Sequence, residues 1–231
     1  MFSALIKRGI GALPSRCLVC HAWPSQTVCE ACVAQFAQPK TRCATCALLV
    51  PAGVIQCGAC VKNPPPLDAC LAAVPYSYPW SDLIVGYKFN HQTGLAGALG
   101  LLLRHTPWVE PALEAADWVL PMPLSRERLR TRGYNQALVL AQQLAPEKTR
   151  HQLLLRIKDT PPQSTLSREE RLVSLTDAFA LEPLLAHQIK GKRLILVDDV
   201  MTSGASLYAA AHVLRAAGAA HITGLVLART D

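Results

Sequence analysis

Four Cys-x-x-Cys pairs near the start of the chain constrain its fold more than any other feature. The pairs begin 12, 14 and 14 residues apart. Each pair places two thiols on one tight turn, and two such turns supply the four sulfurs of a tetrahedral zinc site. Eight thiols are enough for two structural zinc ions. The predicted ligands are Cys17, Cys20, Cys29, Cys32, Cys43, Cys46, Cys57 and Cys60.

Two other uses of paired cysteines are weaker interpretations. A disulfide framework needs an oxidising compartment, and the charged start of the chain, with Lys7 and Arg8, lacks the apolar core of a secretory signal. A redox Cys-x-x-Cys normally occurs once, beside a βαβ unit. The spacing leaves two zinc arrangements open. Sequential pairing of the turns gives two zinc ribbons, alternate pairing gives a cross-brace, and the short spacers favour sequential pairing.

The composition changes sharply after the last pair. Only Cys70 lies beyond residue 60, and Pro64, Pro65 and Pro66 form a run that continues neither a helix nor a strand. We therefore predict a zinc module over residues 1–66 and a second domain over residues 67–231. In the second domain strand-like apolar runs alternate with helical patterns, which is typical of an α/β fold with a largely parallel sheet.

The predicted elements of this domain follow in chain order. Strands are expected at 71–78, 118–120, 153–157, 193–197 and 222–227. Helices are expected at 81–90, 94–105, 134–144 and 206–217, with a further one starting at Ser167 and running toward Phe179.

The stretch from Leu194 to Ser206 carries the most specific signal. A buried strand is followed by two adjacent carboxylates, then by a loop of small residues that opens a helix. Backbone N–H groups at a helix N-terminus hold a phosphate, and paired acids suit ribose hydroxyls. A response regulator also has an acidic pair, but there the pair follows the first strand. The predicted ligand-binding residues are Asp198, Asp199, Thr202, Ser203, Gly204, Ala205 and Ser206.

A basic segment follows the strand at 118–120. Four arginines lie within seven residues, from Arg126 to Arg132, and we expect them in a loop at the carboxyl end of the strand. Ligands of α/β sheets bind at that edge, so the loop would reach a diphosphate or a nucleic-acid phosphate. A solvated surface turn is the other interpretation. The candidate contacts are Lys88, Arg128, Arg132, Asn135 and Gln136.

Taken together, these motifs resemble a known family. The Leu194–Ser206 stretch resembles the signature of type I phosphoribosyltransferases, which bind phosphoribosyl diphosphate (PRPP). Pro121-x-Pro-Leu, then Arg-Gly-Tyr-Asn-Gln at 132–136, the cysteine pairs and the ending Leu227–Thr230 together resemble the ComF family of competence-related proteins and its GntX relatives. The resemblance covers nearly the whole chain. It implies a double zinc ribbon before a type I phosphoribosyltransferase-like domain, with residues 163–171 as part of a hood over the acceptor.

The resemblance implies two classes of function. As an enzyme, the chain would bind PRPP with Mg²⁺ and transfer the phosphoribosyl group to an unknown acceptor, in association with DNA uptake. As an adaptor, it would keep the fold and bind single-stranded DNA or dock on a helicase. No acceptor pocket or general base is evident in the sequence.

Charge and hydropathy place few limits on function. The net charge is +7 and mean hydropathy is +0.21. A modest positive balance suits anionic ligands but also a common solvated surface. No apolar run approaches the ~18 residues of a membrane span. We therefore expect a cytoplasmic protein without a membrane span.

Overall fold

The computed structural model describes residues 15–90, 92–158 and 177–231. Contacts divide the chain into two compact units, Met1–Gln38 and Pro39–Asp231. The second cysteine-rich stretch therefore lies in the same unit as the α/β fold. This division falls earlier than the domain boundary at 66/67, which stays a prediction.

The smaller unit holds the first two cysteine pairs. Backbone bonds join Ser15 and Ser25 in an isolated antiparallel bridge. Helix α1 follows at Glu30–Phe36.

The larger unit is built on a parallel sheet of four strands. The strands are β1 (Ala69–Pro75), β2 (Trp118–Pro121), β5 (Arg193–Met201) and β6 (His221–Arg229), in the order β1-β6-β5-β2. Every pairing in it is parallel. All four strands therefore end at one edge, where ligands of open α/β sheets bind. The α/β class with a parallel sheet is confirmed.

Helices and short elements fill the connections. The helices are α2 (Gly58–Lys62), α3 (Trp80–Phe89), α4 (Leu95–Arg104), α5 (Val109–Ala115), α6 (Arg126–Arg132), α7 (Gln136–Leu144) and α8 (Ala205–Ala216). Single 3₁₀ turns lie at Pro146–Lys148 and Ala186–Ile189. Strands β3 (Leu154–Arg156) and β4 (Phe179–Leu181) form an antiparallel pair. No helix in these ranges is long and apolar enough to cross a membrane.

The core lies on both sides of the sheet. Strand β6 is buried from Ile222 to Arg229, as a strand covered on both faces should be. Helix α8 turns Leu207, Ala210 and Leu214 inward, at helical spacing. Burial of these apolar faces is the main favourable term in folding this unit.

Three predictions about elements need correction. The basic segment at 126–132 forms helix α6 rather than a loop. Strand β5 continues to Met201, so the acidic pair lies within it rather than after it. Phe179 belongs to strand β4, not to a helix end. Residues 167–176 of that expected helix, and the stretch at 163–171, lie outside the described residues.

Candidate functional site

A cavity of about 720 Å³ opens at the carboxyl edge of the sheet. Its volume falls within the range of ordinary small-molecule sites. Helices α3, α6 and α7, strand β5 and the start of α8 all contribute to its wall. The cavity brings together most of the predicted ligand-binding residues: Lys88, Arg128, Arg132, Asn135, Gln136, Asp198, Asp199, Thr202, Gly204, Ala205 and Ser206. Ser203 does not line it.

The acidic pair lies at the floor of this cavity. Asp199 is buried, and its Oδ1 lies 2.8 Å from Nζ of Lys88 on α3. Asp198 Oδ1 accepts a hydrogen bond of 2.9 Å from the Asp199 N–H. Burial, reinforced by the negative charge of Asp199, raises the pKa of Asp198 to about 7, although Lys88 opposes the shift. The site therefore holds one firmly paired carboxylate beside one that titrates near neutrality.

The loop after β5 needs glycine at its last position. Gly204 has a φ of 82°, in the left-handed region, and α8 starts at the next residue. A Cβ there would lie 2.6 Å from both Met201 Cε and a Tyr208 ring carbon. Glycine thus lets the backbone turn sharply and present the N-terminus of a 12-residue helix to the cavity. The Ser203 hydroxyl accepts from the Ala205 N–H at 3.4 Å, inside the turn.

Helix α6 carries the cationic wall. Ser125 caps it by accepting from the Arg128 N–H, and Gly133 ends it with a φ of 77°. No residue of α6 is buried, which explains why its sequence shows no apolar face. Arg128 and Arg132 line the cavity. The Arg132 guanidinium stacks 4.9 Å from the centre of the Phe89 ring, which is 57% exposed.

Asn135 and Gln136 line the cavity but also hold the helices in place. Asn135 caps α7 through the Leu138 N–H and donates to the Met122 carbonyl at 3.0 Å. Gln136 is 1% exposed, donates to the Lys88 carbonyl and accepts from Arg132. Their position explains why the segment 132–136 combines a basic residue with two amides: the amides fix α6 and α7 around the cavity.

Sequence reasoning missed the contribution of Arg156 to this wall. Arg156 reaches the cavity from β3, lies over the Phe179 ring at 5.5 Å, and its charge lowers the pKa of Asp198 against the larger raising effects. The sequence signal for Arg156 was a basic residue in a short predicted strand. That signal did not place Arg156 at the cavity, because the β3–β4 pairing that brings it there was not predicted.

The cysteines form two separate clusters, with sequential pairing. One contains Cys17, Cys20, Cys29 and Cys32, the other Cys43, Cys46, Cys57 and Cys60; the sulfurs of each lie within 4.8 Å of one another. Three of the S···S distances are 3.6, 3.7 and 3.9 Å. Tetrahedral Zn–S bonds of about 2.3 Å require separations of roughly 3.8 Å. Both clusters therefore fit a structural zinc ion.

Backbone groups prepare the first thiol of each cluster for metal. The Cys29 N–H donates to Cys17 Sγ, and the Cys57 N–H donates to Cys43 Sγ at 3.3 Å. Burial opposes ionisation of Cys17 and Cys43, but these and neighbouring backbone N–H groups outweigh it and lower each pKa to about 6. Zinc binds the thiolate, so the same backbone turns favour metal.

Comparison with known proteins agrees with this architecture. The "DNA utilization protein YhgH" of Escherichia coli O6:H1 is 30% identical over 94% of this chain and 98% of its own length. "Competence protein F" of Haemophilus influenzae is 34% identical over 75% of this chain and 78% of its own. The chain belongs to the ComF family.

Two further matches refine that membership. A family model described as the phosphoribosyl transferase domain matches residues 130–230, which include the acidic pair, the turn at Gly204 and helix α8. "Competence protein ComFC" of Bacillus subtilis is 35% identical over 48% of this chain and 44% of its own. The phosphoribosyltransferase-like fold preceded by two four-cysteine clusters is thus confirmed for this ComF member.

Proposed function

We propose that this chain binds PRPP with Mg²⁺ in the cavity at the sheet edge and acts in the handling of DNA. The observation that carries the proposal is the meeting of an acidic pair, a helix N-terminus and a cationic wall in one cavity. PRPP has a matching order of groups: a 5-phosphate, ribose hydroxyls and a diphosphate. The phosphoribosyl transferase match at 130–230 supports the same ligand.

The acidic pair would receive the ribose. Carboxylate oxygens accept hydrogen bonds from the 2- and 3-hydroxyls, and Asp199 is already fixed by Lys88. The Asp199 N–H bond to Asp198 holds the second carboxylate in place. The ribose would therefore meet acceptors whose orientation is set before it arrives.

The turn at Thr202–Ser206 would receive the 5-phosphate. Its backbone N–H groups and the positive end of the α8 dipole favour an anion there. The absence of a side chain at Gly204, whose Cβ would collide with Met201 and Tyr208, keeps this turn tight.

Lys88, Arg128 and Arg132 would neutralise the diphosphate. All three line the same cavity, and Arg156 adds a fourth cation there. Mg²⁺ would be carried largely by diphosphate and water oxygens, as that ion prefers, and would balance charge on the leaving group. Positioning and charge neutralisation are the contributions that a transfer from C1 of the ribose to an acceptor requires from these side chains.

A role with DNA is supported by the relatives. The names "DNA utilization protein" and "Competence protein F" belong to proteins that match this chain over most of its length. The exposed Phe89 ring with Arg132 stacked on it also offers a surface of the kind that holds a nucleobase. Single-stranded DNA binding at this rim is therefore the second candidate function.

Calorimetric titration of Mg–PRPP into the zinc-loaded chain tests the proposal. Wild type should bind saturably, and Asp198→Asn/Asp199→Asn should bind at least about 100-fold more weakly, because two charge-assisted hydrogen bonds are lost. Asp82→Asn is the matched control, since Asp82 is an exposed carboxylate on α3 outside the cavity lining; it should bind like wild type.

Absence of Mg–PRPP binding to wild type would refute the proposal. The second candidate would then be supported if an oligothymidylate bound with steep salt dependence and lost affinity in Arg132→Ala.

A further inference from the structure

Arg229 is a buried cation whose role the proposed site does not explain. It lies at the end of β6, in the closing Leu227–Thr230 motif, and is only 7% exposed. It does not line the cavity that holds the acidic pair. A buried guanidinium is costly unless hydrogen bonds compensate it, so its acceptors indicate its task.

Besides the carbonyl and hydroxyl of the neighbouring Thr230, these acceptors belong to two distant parts of the sequence. Nε donates to the Cys46 carbonyl at 3.0 Å, and Nη1 donates to the Met201 carbonyl at 3.2 Å and to the Thr202 carbonyl. Cys46 is a member of the second four-cysteine cluster, whereas Met201 and Thr202 begin the turn that leads to Gly204. One rigid, planar group therefore joins the cluster to the turn.

A second link runs beside the first. The Cys70 N–H donates to the Ala44 carbonyl at 2.8 Å, so the Cys43–Cys46 turn is held on strand β1. The Cys70 sulfur in turn lies 3.7 Å from the Met201 sulfur. The Cys43–Cys46 turn thus reaches Met201 both through Arg229 and through the core.

The backbone pairing makes the connection stiff. Met201 lies opposite Arg229 in the β5–β6 register, and the Thr230 N–H donates to the Met201 carbonyl at 3.1 Å. A shift of the Cys46 carbonyl would leave the guanidinium short of one acceptor in a buried place. The guanidinium would then shift, and its remaining acceptors, which include the Met201 and Thr202 carbonyls, would shift with it.

We propose that Arg229 couples metal binding at the second four-cysteine cluster to ligand binding at the phosphate turn. The inference rests on the proposed PRPP site. With Cys43, Cys46, Cys57 and Cys60 gathered on one ion, the Cys46 carbonyl is fixed, and Arg229 holds Met201 and Thr202 in the conformation that receives the 5-phosphate. Arg229 is a positioning residue and does not touch the ligand.

Coupling of this kind is reciprocal. If the gathered cluster strengthens Mg–PRPP binding by some factor, then Mg–PRPP must strengthen zinc binding at that cluster by the same factor. The proposal concerns the second cluster alone, so zinc binding at the first cluster, in the unit Met1–Gln38, should show no effect.

The test measures zinc affinity and Mg–PRPP affinity on the same full-length chain. Zinc is withdrawn by equilibrium competition with a chromophoric chelator, with and without saturating Mg–PRPP. In wild type we expect one of the two zinc ions to be held on the order of tenfold more tightly with the ligand present, and the other to be unchanged.

Arg229→Lys keeps the charge but loses the planar fork. It should bind Mg–PRPP about tenfold more weakly and should show no effect of the ligand on zinc. Arg215→Lys is the matched control, because Arg215 also donates to two carbonyls, Ala219 and Ala220, but touches neither cluster nor turn. It should keep the full coupling.

Each other outcome has one meaning. If wild type binds Mg–PRPP while both zinc affinities stay constant, the coupling is refuted and the proposed function stands. If the coupling persists in Arg229→Lys, the role of Arg229 is refuted. If wild type does not bind Mg–PRPP, the proposed function fails and the coupling fails with it.

Discussion

A single side chain, Asp198, makes the stability of the folded chain depend on pH. Its pKa in the folded chain is about 7, against 3.8 for an ordinary aspartate, because burial and Asp199 disfavour its charge. The folded chain therefore holds this proton more tightly than the unfolded chain. The stability that results is complete below about pH 4 and is lost as the pH rises through about 7.

Asp198→Asn removes this dependence. We expect the variant to unfold roughly 4 °C or more above wild type at pH 8, where Asp198 is charged in the folded wild type, and to lose most of this difference at pH 4, where Asp198 is protonated in the folded chain and partly protonated in the unfolded chain. Thermal unfolding followed by circular dichroism at both pH values provides the measurement. Asp82→Asn, on the exposed face of α3, should leave the difference between the two pH values as it is in wild type.

A variant that gained nothing at pH 8 would show that Asp198 is ionised at little cost. The gain expected at pH 8 also has a counterpart in binding, since the same substitution removes an acceptor for the ribose. The Asp198 carboxylate would then lower the stability of the chain without ligand and raise its affinity for Mg–PRPP.

A single glycine, Gly133, determines where helix α6 ends. Gly133 ends the helix with a φ of 77°, and a Cβ added at this position would have no atom within 4 Å. An alanine there would meet no neighbour but would hold a left-handed conformation, which costs about 1 kcal/mol.

Two glycine-to-alanine variants test this with opposite signs. Gly133→Ala should lower the free energy of unfolding by about 1 kcal/mol. Gly97→Ala, at an exposed position inside α4 that is equally open, should raise it by about 0.5–1 kcal/mol, because alanine is the better helix former. Urea unfolding of both variants gives the comparison, and a loss of stability in Gly97→Ala would contradict this explanation.

The elements that were predicted and those that were missed differ physically. Strand β5 and helix α8 are recognisable from a run of branched apolar residues and from an Ala-rich periodicity, since both are buried. Helix α6 has no buried residue and strand β4 has three residues, so neither shows a hydrophobic period. The acidic pair and the turn after it were predicted because their residues are adjacent in the sequence. Arg156 was not predicted as a cavity residue, because its position depends on the long-range β3–β4 pairing.

At the scale of the whole molecule, the two four-cysteine clusters belong to different structural settings. Cys43, Cys46 and Cys60 are buried in one apolar core with Leu67 and Cys70. The first cluster lies in the unit Met1–Gln38. The cysteine spacing, nearly equal in both, does not distinguish these settings.

Two truncated chains distinguish between the two domain boundaries. Composition predicts a boundary at 66/67, whereas the contacts indicate one at 38/39. Residues 39–231 should fold cooperatively and keep one zinc ion, because that range is a compact unit that includes the second cluster. Residues 67–231 should be markedly less stable, since they lose the apolar contacts of Cys43, Cys46, Ala47 and Cys60 and the acceptor for Arg229. Urea unfolding and zinc content give the readout, and equal stability of the two fragments would favour the boundary at 66/67.

The hydrogen bond between Arg229 and the Cys46 carbonyl also limits how the second four-cysteine cluster can be exchanged in evolution. A module that makes no essential hydrogen bond to its neighbour can be exchanged between genes. The second cluster, in contrast, supplies a hydrogen-bond acceptor to a buried arginine of the α/β fold, so it cannot be removed without a compensating substitution. The second cluster and the arginine should therefore be inherited together, as one heritable unit.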